Sequence, residues 1–165
     1  MLENFGERVM DRLGKSLEDY LEAIFLLSKE KDRVRITDIA ERLSVRKPSV
    51  VSAIKKLEEK GFVTHERYGH VELTPMGKEL AEDIYYKHTM LLKFFRDILG
   101  VESDEAERDA CIMEHYLGDS TLMRLAKLVE FIEEFEKRGV RPKWLEHFKR
   151  YVETGELPQC RHVRD

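Results

Sequence analysis

The segment RKPSVVSAIKKLEEKGFVTHERYGHVELTP, residues 46–75, limits the possible folds more than any other part of the chain. Pro48 suits the first turn of a helix, where its missing N–H is not needed, and Gly61 suits the left-handed position just past a helix end. Between them Val50, Ile54 and Leu57 recur at helical spacing, while Ser49, Ser52, Lys55 and Lys56 fall on the other side. Straight after the glycine the pattern changes. Phe62-Val63-Thr64 and Val71-Glu72-Leu73 are short strand-like runs, and Tyr68-Gly69 supplies a turn between them. Upstream, RITDIAERLSV reads as a shorter helix with Thr37 as N-cap, Ile36 as staple, and Ile39, Ala40 and Leu43 as its apolar face. Helix, short turn, helix and hairpin within about 60 residues is the order of a winged helix-turn-helix.

The flanking segments read as helices. Ser16 is an expected N-cap with Asp19 at N3, and Leu17, Tyr20, Leu21, Ile24, Phe25 and Leu27 recur at helical spacing to about Lys29. Thr74-Pro75 opens a long helix whose inner stripe is Leu80, Ile84, His88, Leu91, Phe95 and Ile98, ending at Gly100. A further block covers about 103–117. Asp119 or Ser120 is an expected cap for the next helix, which Gly139 stops, and Pro142-Lys143-Trp144 begins a last one ending near Gly155. The fold class expected is mainly α. Residues 1–74 form a winged helix-turn-helix DNA-binding domain, and residues 75–165 an all-helical domain.

Charge distribution points the same way. The net charge is −4, but residues 29–79 carry 12 Lys/Arg against 9 Asp/Glu, and the rest carries 17 against 24. A basic block beside an acidic one suits a DNA reader joined to a cation collector. Arg46, Lys47, Pro48, Ser49, Ser52, Lys55 and Lys56 are the expected groove and phosphate contacts on the second helix of the pair. Arg35, Thr37, Arg67 and Tyr68 are expected backbone contacts. No Arg, Asn or Gln stands on the outward face of that helix to make a bidentate base contact, so the bases read do not follow from the sequence. No apolar run approaches a membrane span, the N-terminus lacks the apolar core of a secretory signal, and two distant cysteines make no disulfide scaffold; a cytoplasmic protein is expected.

Cys111, Glu114 and His115 stand at i, i+3 and i+4, a spacing that brings a thiol, a carboxylate and an imidazole to one helical face. All three are metal-ligand types. His88 falls on the apolar stripe of the long helix, and Asp19 and Glu22 share a face of the first. Each has a plain structural alternative: a hydrogen-bonded core histidine, a capping aspartate, a solvated glutamate, a small buried cysteine. Taken together they are candidate metal ligands. Cys160 and His162, in the polar tail, are expected to form no essential site.

The stretches SLEDYLEAIFLL, ITDIAERLSVRKPSVVSAIKKLEEKGFV, LTPMGKELA, KHTMLLKFF and DACIMEHYLGD, in continuous order over about residues 16–138, resemble the diphtheria toxin repressor family, which includes the manganese transport regulators. The resemblance implies a dimeric winged-helix regulator that binds a palindromic DNA operator when a divalent metal activates it, usually repressing metal uptake. It also implies that residues 75–165 are the helical dimerisation and metal-binding domain, with metal ligation by Asp19, Glu22, His88, Cys111, Glu114 and His115. The ligand pattern is mixed. Asp19 and Glu22 resemble the manganese branch, whereas Cys111 resembles the iron branch. Mn(II) or Fe(II) is therefore the expected cofactor, with Co(II), Ni(II) or Zn(II) as substitutes in vitro. The SH3-like third domain of larger relatives is not expected. Two other readings stand beside this one: a winged-helix regulator of a small organic ligand, its polar cluster structural, and a metal-storing or thiol-active helical enzyme, which the wing argues against.

Overall fold

The computed structural model describes residues 13–66 and 70–157. Its elements are α1 (Lys15–Glu30), β1 (Val34–Arg35), α2 (Ile36–Arg42), α3 (Lys47–Glu59), β2 (Val63–His65), β3 (His70–Leu73) and α4 (Pro75–Lys93). A π-helical segment, Phe94–Leu99, follows, then α5 (Ser103–Met113), α6 (Asp119–Lys137) and α7 (Lys143–Thr154). The chain divides into two compact units, with the boundary after Lys87 inside α4.

In the first unit the expected stripes face inward. Leu21 and Ile24 of α1, Ile39 of α2, Val50, Ile54 and Leu57 of α3, and Val63 and Val71 of the hairpin share one core, closed by Ala81 and Ile84 of α4. The sheet has three strands in the order β1-β3-β2, all antiparallel, with Val34 opposite Val71 and Val63 opposite Leu73. The sequence pattern predicts only two of these strands. β1 is two residues long, too short for alternation to register, and it forms because β3 offers it an edge.

Helix ends also differ from expectation. Gly14, not Ser16, is the N-cap of α1, and Gly118, not Asp119 or Ser120, is that of α6. The N-cap of α2 is Arg35 rather than Thr37: its backbone N–H donates to Asp38 Oδ2 at 2.9 Å, a reach-back contact that the N3 carboxylate makes by itself. The turn from α2 to α3 is closed by Ser44 at φ 53°, with Ser44 N–H donating to Glu41 O (3.1 Å) and Val45 N–H to Ala40 O (3.0 Å). Gly61 closes α3 with the same pair of bonds, to Glu58 O and Leu57 O.

The wing is locked to the start of α4. Thr74 N–H and hydroxyl both reach the Gly61–Phe62 carbonyls, and Gly77 N–H donates to Thr74 Oγ1 at 3.0 Å. Gly77 sits so close to Phe62 that a Cβ there would lie 1.8 Å from the Phe62 carbonyl oxygen.

In the second unit Leu91, Phe95, Ala106, Ala110 and Leu122 form the core, with Leu92, Phe94, Leu99 and Leu125 packed on it. Helical periodicity predicts a continuous α-helix to Gly100; the last six residues instead widen into π geometry. Gly100 ends them at φ 77°, and Phe94 and Phe95 meet edge to face. Ala106 and Ala110, both fully buried, leave no bulk on the inner face of α5. That lets the backbone of α5 pack closely.

Candidate metal centre and nucleic-acid surface

α5 presents Glu107, Cys111 and Glu114 at i, i+4 and i+7, one stripe of a helix. The α-helix itself ends at Met113. Glu114 keeps helical dihedrals as its C-cap, its N–H donating to Ala110 O, and His115 follows in the turn. Sequence spacing predicts Cys111, Glu114 and His115 on one continuous helical face; the α-helix instead ends before the last two, and His115 stands in the turn beside Glu114.

His88, on the inner stripe of the long helix, is buried, and so is Glu114. His88 Nδ1 lies 3.0 Å from Glu114 Oε2, and His88 Nε2 lies 3.1 Å from Glu107 Oε1. An imidazole with a carboxylate at each nitrogen is held in one ring orientation. The His115 side chain is 4% exposed, its Nε2 3.3 Å from Glu114 Oε1. That approach lacks hydrogen-bond geometry, and Glu114 Oε1 is a buried oxygen without a hydrogen-bond partner among the described residues. A ligand atom of Cys111 and one of Glu114 lie within 4.8 Å of each other.

The second unit therefore gathers four of the six expected ligands: His88, Cys111, Glu114 and His115. It adds Glu107, which the sequence reading passed over. The signal was present, since Glu107 stands four residues before Cys111 on the same stripe, but a glutamate in an acidic helix start is indistinguishable from a solvated one until its partner is known. Asp19 and Glu22 lie one turn apart on α1, in the first unit, both half-buried.

The donor set suits a divalent cation. A buried carboxylate oxygen left without a partner costs about 1–3 kcal/mol or more, because the charge was solvated in the unfolded chain. Imidazole nitrogen, thiolate and carboxylate together are borderline donors, acceptable to first-row divalent ions.

The other surface lies on the first unit. Val50, Ala53, Ile54 and Leu57 of α3 are buried. Arg46, Lys47, Pro48, Ser49, Ser52, Lys55 and Lys56 are all exposed, as are Arg35 and Thr37. Arg67 and Tyr68 fall outside the described residues, as do Cys160 and His162. Val51, absent from the sequence-based set, is exposed on the same helix.

Residues 12–71 match the family model described as the iron dependent repressor, N-terminal DNA binding domain. Residues 74–143 match the model of its metal binding and dimerisation domain. The HTH-type transcriptional regulator MntR of Bacillus pumilus is 38% identical over 128 residues, which are 78% of this chain and 88% of that protein. Among solved structures, the manganese regulator SloR aligns with a TM-score of 0.63 and 32% identity, covering 70% of this chain and 54% of the other. A manganese-dependent transcriptional repressor in complex with manganese aligns with a TM-score of 0.64 and 31% identity over 70% and 53%. The chain thus spans about half the length of those two structures. Two family models end to end, on a winged-helix unit and on a helical unit with a buried carboxylate–imidazole cluster, establish that the chain belongs to the iron-dependent, or diphtheria toxin, repressor family of metal-dependent DNA-binding transcriptional regulators.

Proposed function

We propose that this chain is a cytosolic repressor of metal-uptake genes that binds a palindromic duplex operator as a homodimer when Mn(II) or Fe(II) is available. Residues 1–74 read DNA, and residues 75–165 dimerise and hold metal. It catalyses no reaction. The proposed ligands are Asp19, Glu22, His88, Cys111, Glu114 and His115; Co(II), Ni(II) or Zn(II) can take the place of the natural ion in vitro.

The observation that carries this reading is Glu114, a buried carboxylate whose Oε1 has no hydrogen-bond partner among the described residues while His115, Cys111 and His88 crowd around it. Asp19 and Glu22 enter the set on donor chemistry and on the family resemblance. A bound divalent ion supplies positive charge to a group of acidic donors that repel one another without it. The chain's own residues do the rest. Glu107, at His88 Nε2, orients the ring; Nδ1, which faces Glu114 in the structure, would exchange that contact for the ion, and α3 carries the Ser/Lys face to the groove. Moving the population from 1:99 to 99:1 requires about 5.5 kcal/mol of preference for the DNA-competent state.

The test is a gel-shift titration on the host's own metal-transporter promoters, with and without Mn(II) or Fe(II) under anaerobic conditions. Metal should be required for tight binding. Glu114→Ala should abolish the metal response while circular dichroism and sedimentation remain those of the wild type. A Glu114→Ala variant that responds to metal with wild-type affinity places the site elsewhere.

A further inference from the structure

The outward face of α3 has a composition that limits how it reads a duplex. From Lys47 to Glu59 it contains no Arg, Asn or Gln, so its lysines are the only side chains there that can pair with a guanine edge, and none pairs bidentately with adenine. It presents serines, lysines, exposed Pro48 and one larger apolar side chain, Val51, which is 50% exposed. At 100° per residue Val51 stands one turn after Pro48, one turn before Lys55, and outside the arc of buried Val50, Ala53, Ile54 and Leu57. A single exposed valine is ordinary on a protein surface. By the same geometry Lys47 and Lys55, both exposed, flank this one a turn before and a turn after. A polyanion drawn to those two cations covers Val51 and brings it against whatever lies between the phosphates.

We propose that Val51 reads the C5-methyl group of a thymine in the major groove, making a T·A pair at that position of each half-site a base pair this chain selects by direct contact. The proposal rests on α3 entering the groove. The chemistry is one-sided. Isopropyl against methyl removes apolar surface from water on both partners. Cytosine at the same place would present its N4 amino donor to a side chain with no acceptor, and that donor would lose its water.

The experiment uses the full chain with Mn(II) or Fe(II) and a duplex selected by it from a random library. Each thymine is replaced singly by deoxyuridine, which removes the methyl group and nothing else. One thymine per half-site should stand out, its replacement weakening wild-type binding about fourfold, the worth of one buried methyl. Val51→Ala, which keeps a good helix former at a half-exposed position, should bind the parent duplex more weakly by a similar factor. It should no longer distinguish thymine from uracil at that one position. A wild-type protein indifferent to every replacement overturns the proposal. So does a Val51→Ala protein that keeps the wild-type thymine-to-uracil ratio at every position. Lys56→Ala separates the two levels. If it lowers affinity and the salt slope while Val51→Ala changes no ratio, α3 is on the DNA and only the Val51 assignment falls. If neither substitution changes binding, the placement of α3 falls as well.

Discussion

Two residues decide more than their size suggests. Cys111 is the one sulfur in the proposed ligand set, which is otherwise made of oxygen and nitrogen. Thiolate favours Fe(II), Co(II), Ni(II) or Zn(II) over the harder Mn(II). Cys111→Glu replaces it with a carboxylate, and the variant's DNA binding should respond to Mn(II) at lower concentration relative to Fe(II) than the wild type does. The ratio of half-activating concentrations in anaerobic titrations measures this; an unchanged ratio would show that Cys111 is not a ligand. Gly77 decides where the wing meets α4. Its Cβ position is occupied by the Phe62 backbone, which has no rotamer to change. Gly77→Ala should cost about 2–3 kcal/mol by overpacking, read as a lower urea midpoint.

At the scale of elements, the helix pair depends on short-range contacts at its ends. Asp38 ties α2 to the loop before it, accepting from Lys31 Nζ at 2.7 Å and from the Arg35 backbone N–H at 2.9 Å. Those bonds, Lys31 first, hold its carboxyl below the usual carboxylate value, and the Coulombic pull of Lys31 and Arg35 adds to them. A depressed folded-state pKa means stability that is present above the unfolded value and lost as pH falls through the folded one. Asp38→Asn should cost about 1 kcal/mol near neutral pH, typical of a lost helix cap. The gap between variant and wild type in thermal melts should close as the pH drops below the ordinary carboxylate range. A gap that persists in acid would mean that shape, not charge, is what Asp38 contributes.

For the whole molecule, most of the large exposed apolar side chains among the described residues fall on the second unit. Ile112, Tyr116 and Phe131 lie within the region matching the dimerisation model, each more than half exposed, and Trp144, Tyr151 and Val152 follow on α7. Large apolar side chains clustered on one unit mark contact surfaces. A homodimer through the part after Pro75 is the expected assembly, and two-fold symmetry then presents two copies of α3 to a palindrome. Sedimentation equilibrium at micromolar concentration with metal present should give twice the chain mass. A monomer under those conditions contradicts both the dimer and the operator symmetry.

Much of this was written in local patterns. The spacing of Val50, Ile54 and Leu57, the Pro48 and Gly61 punctuation, and the hairpin runs specify helix, turn and wing, because burying one face of a helix or strand leaves a period in the sequence. Cys111 and Glu114 were legible as a pair for the same reason. Three features were not legible. Two-residue β1 exists only because β3 has an open edge. The caps at Gly14, Arg35 and Gly118 are set by how the chain enters each helix, not by the side chains that usually mark such ends. Glu107 became a partner of His88 only when α5, with Ala106 and Ala110 on its buried face, brought a residue 19 positions later in the chain within hydrogen-bond reach. Short-range order leaves a trace in residue spacing, whereas a contact between distant segments depends on packing that no single segment encodes.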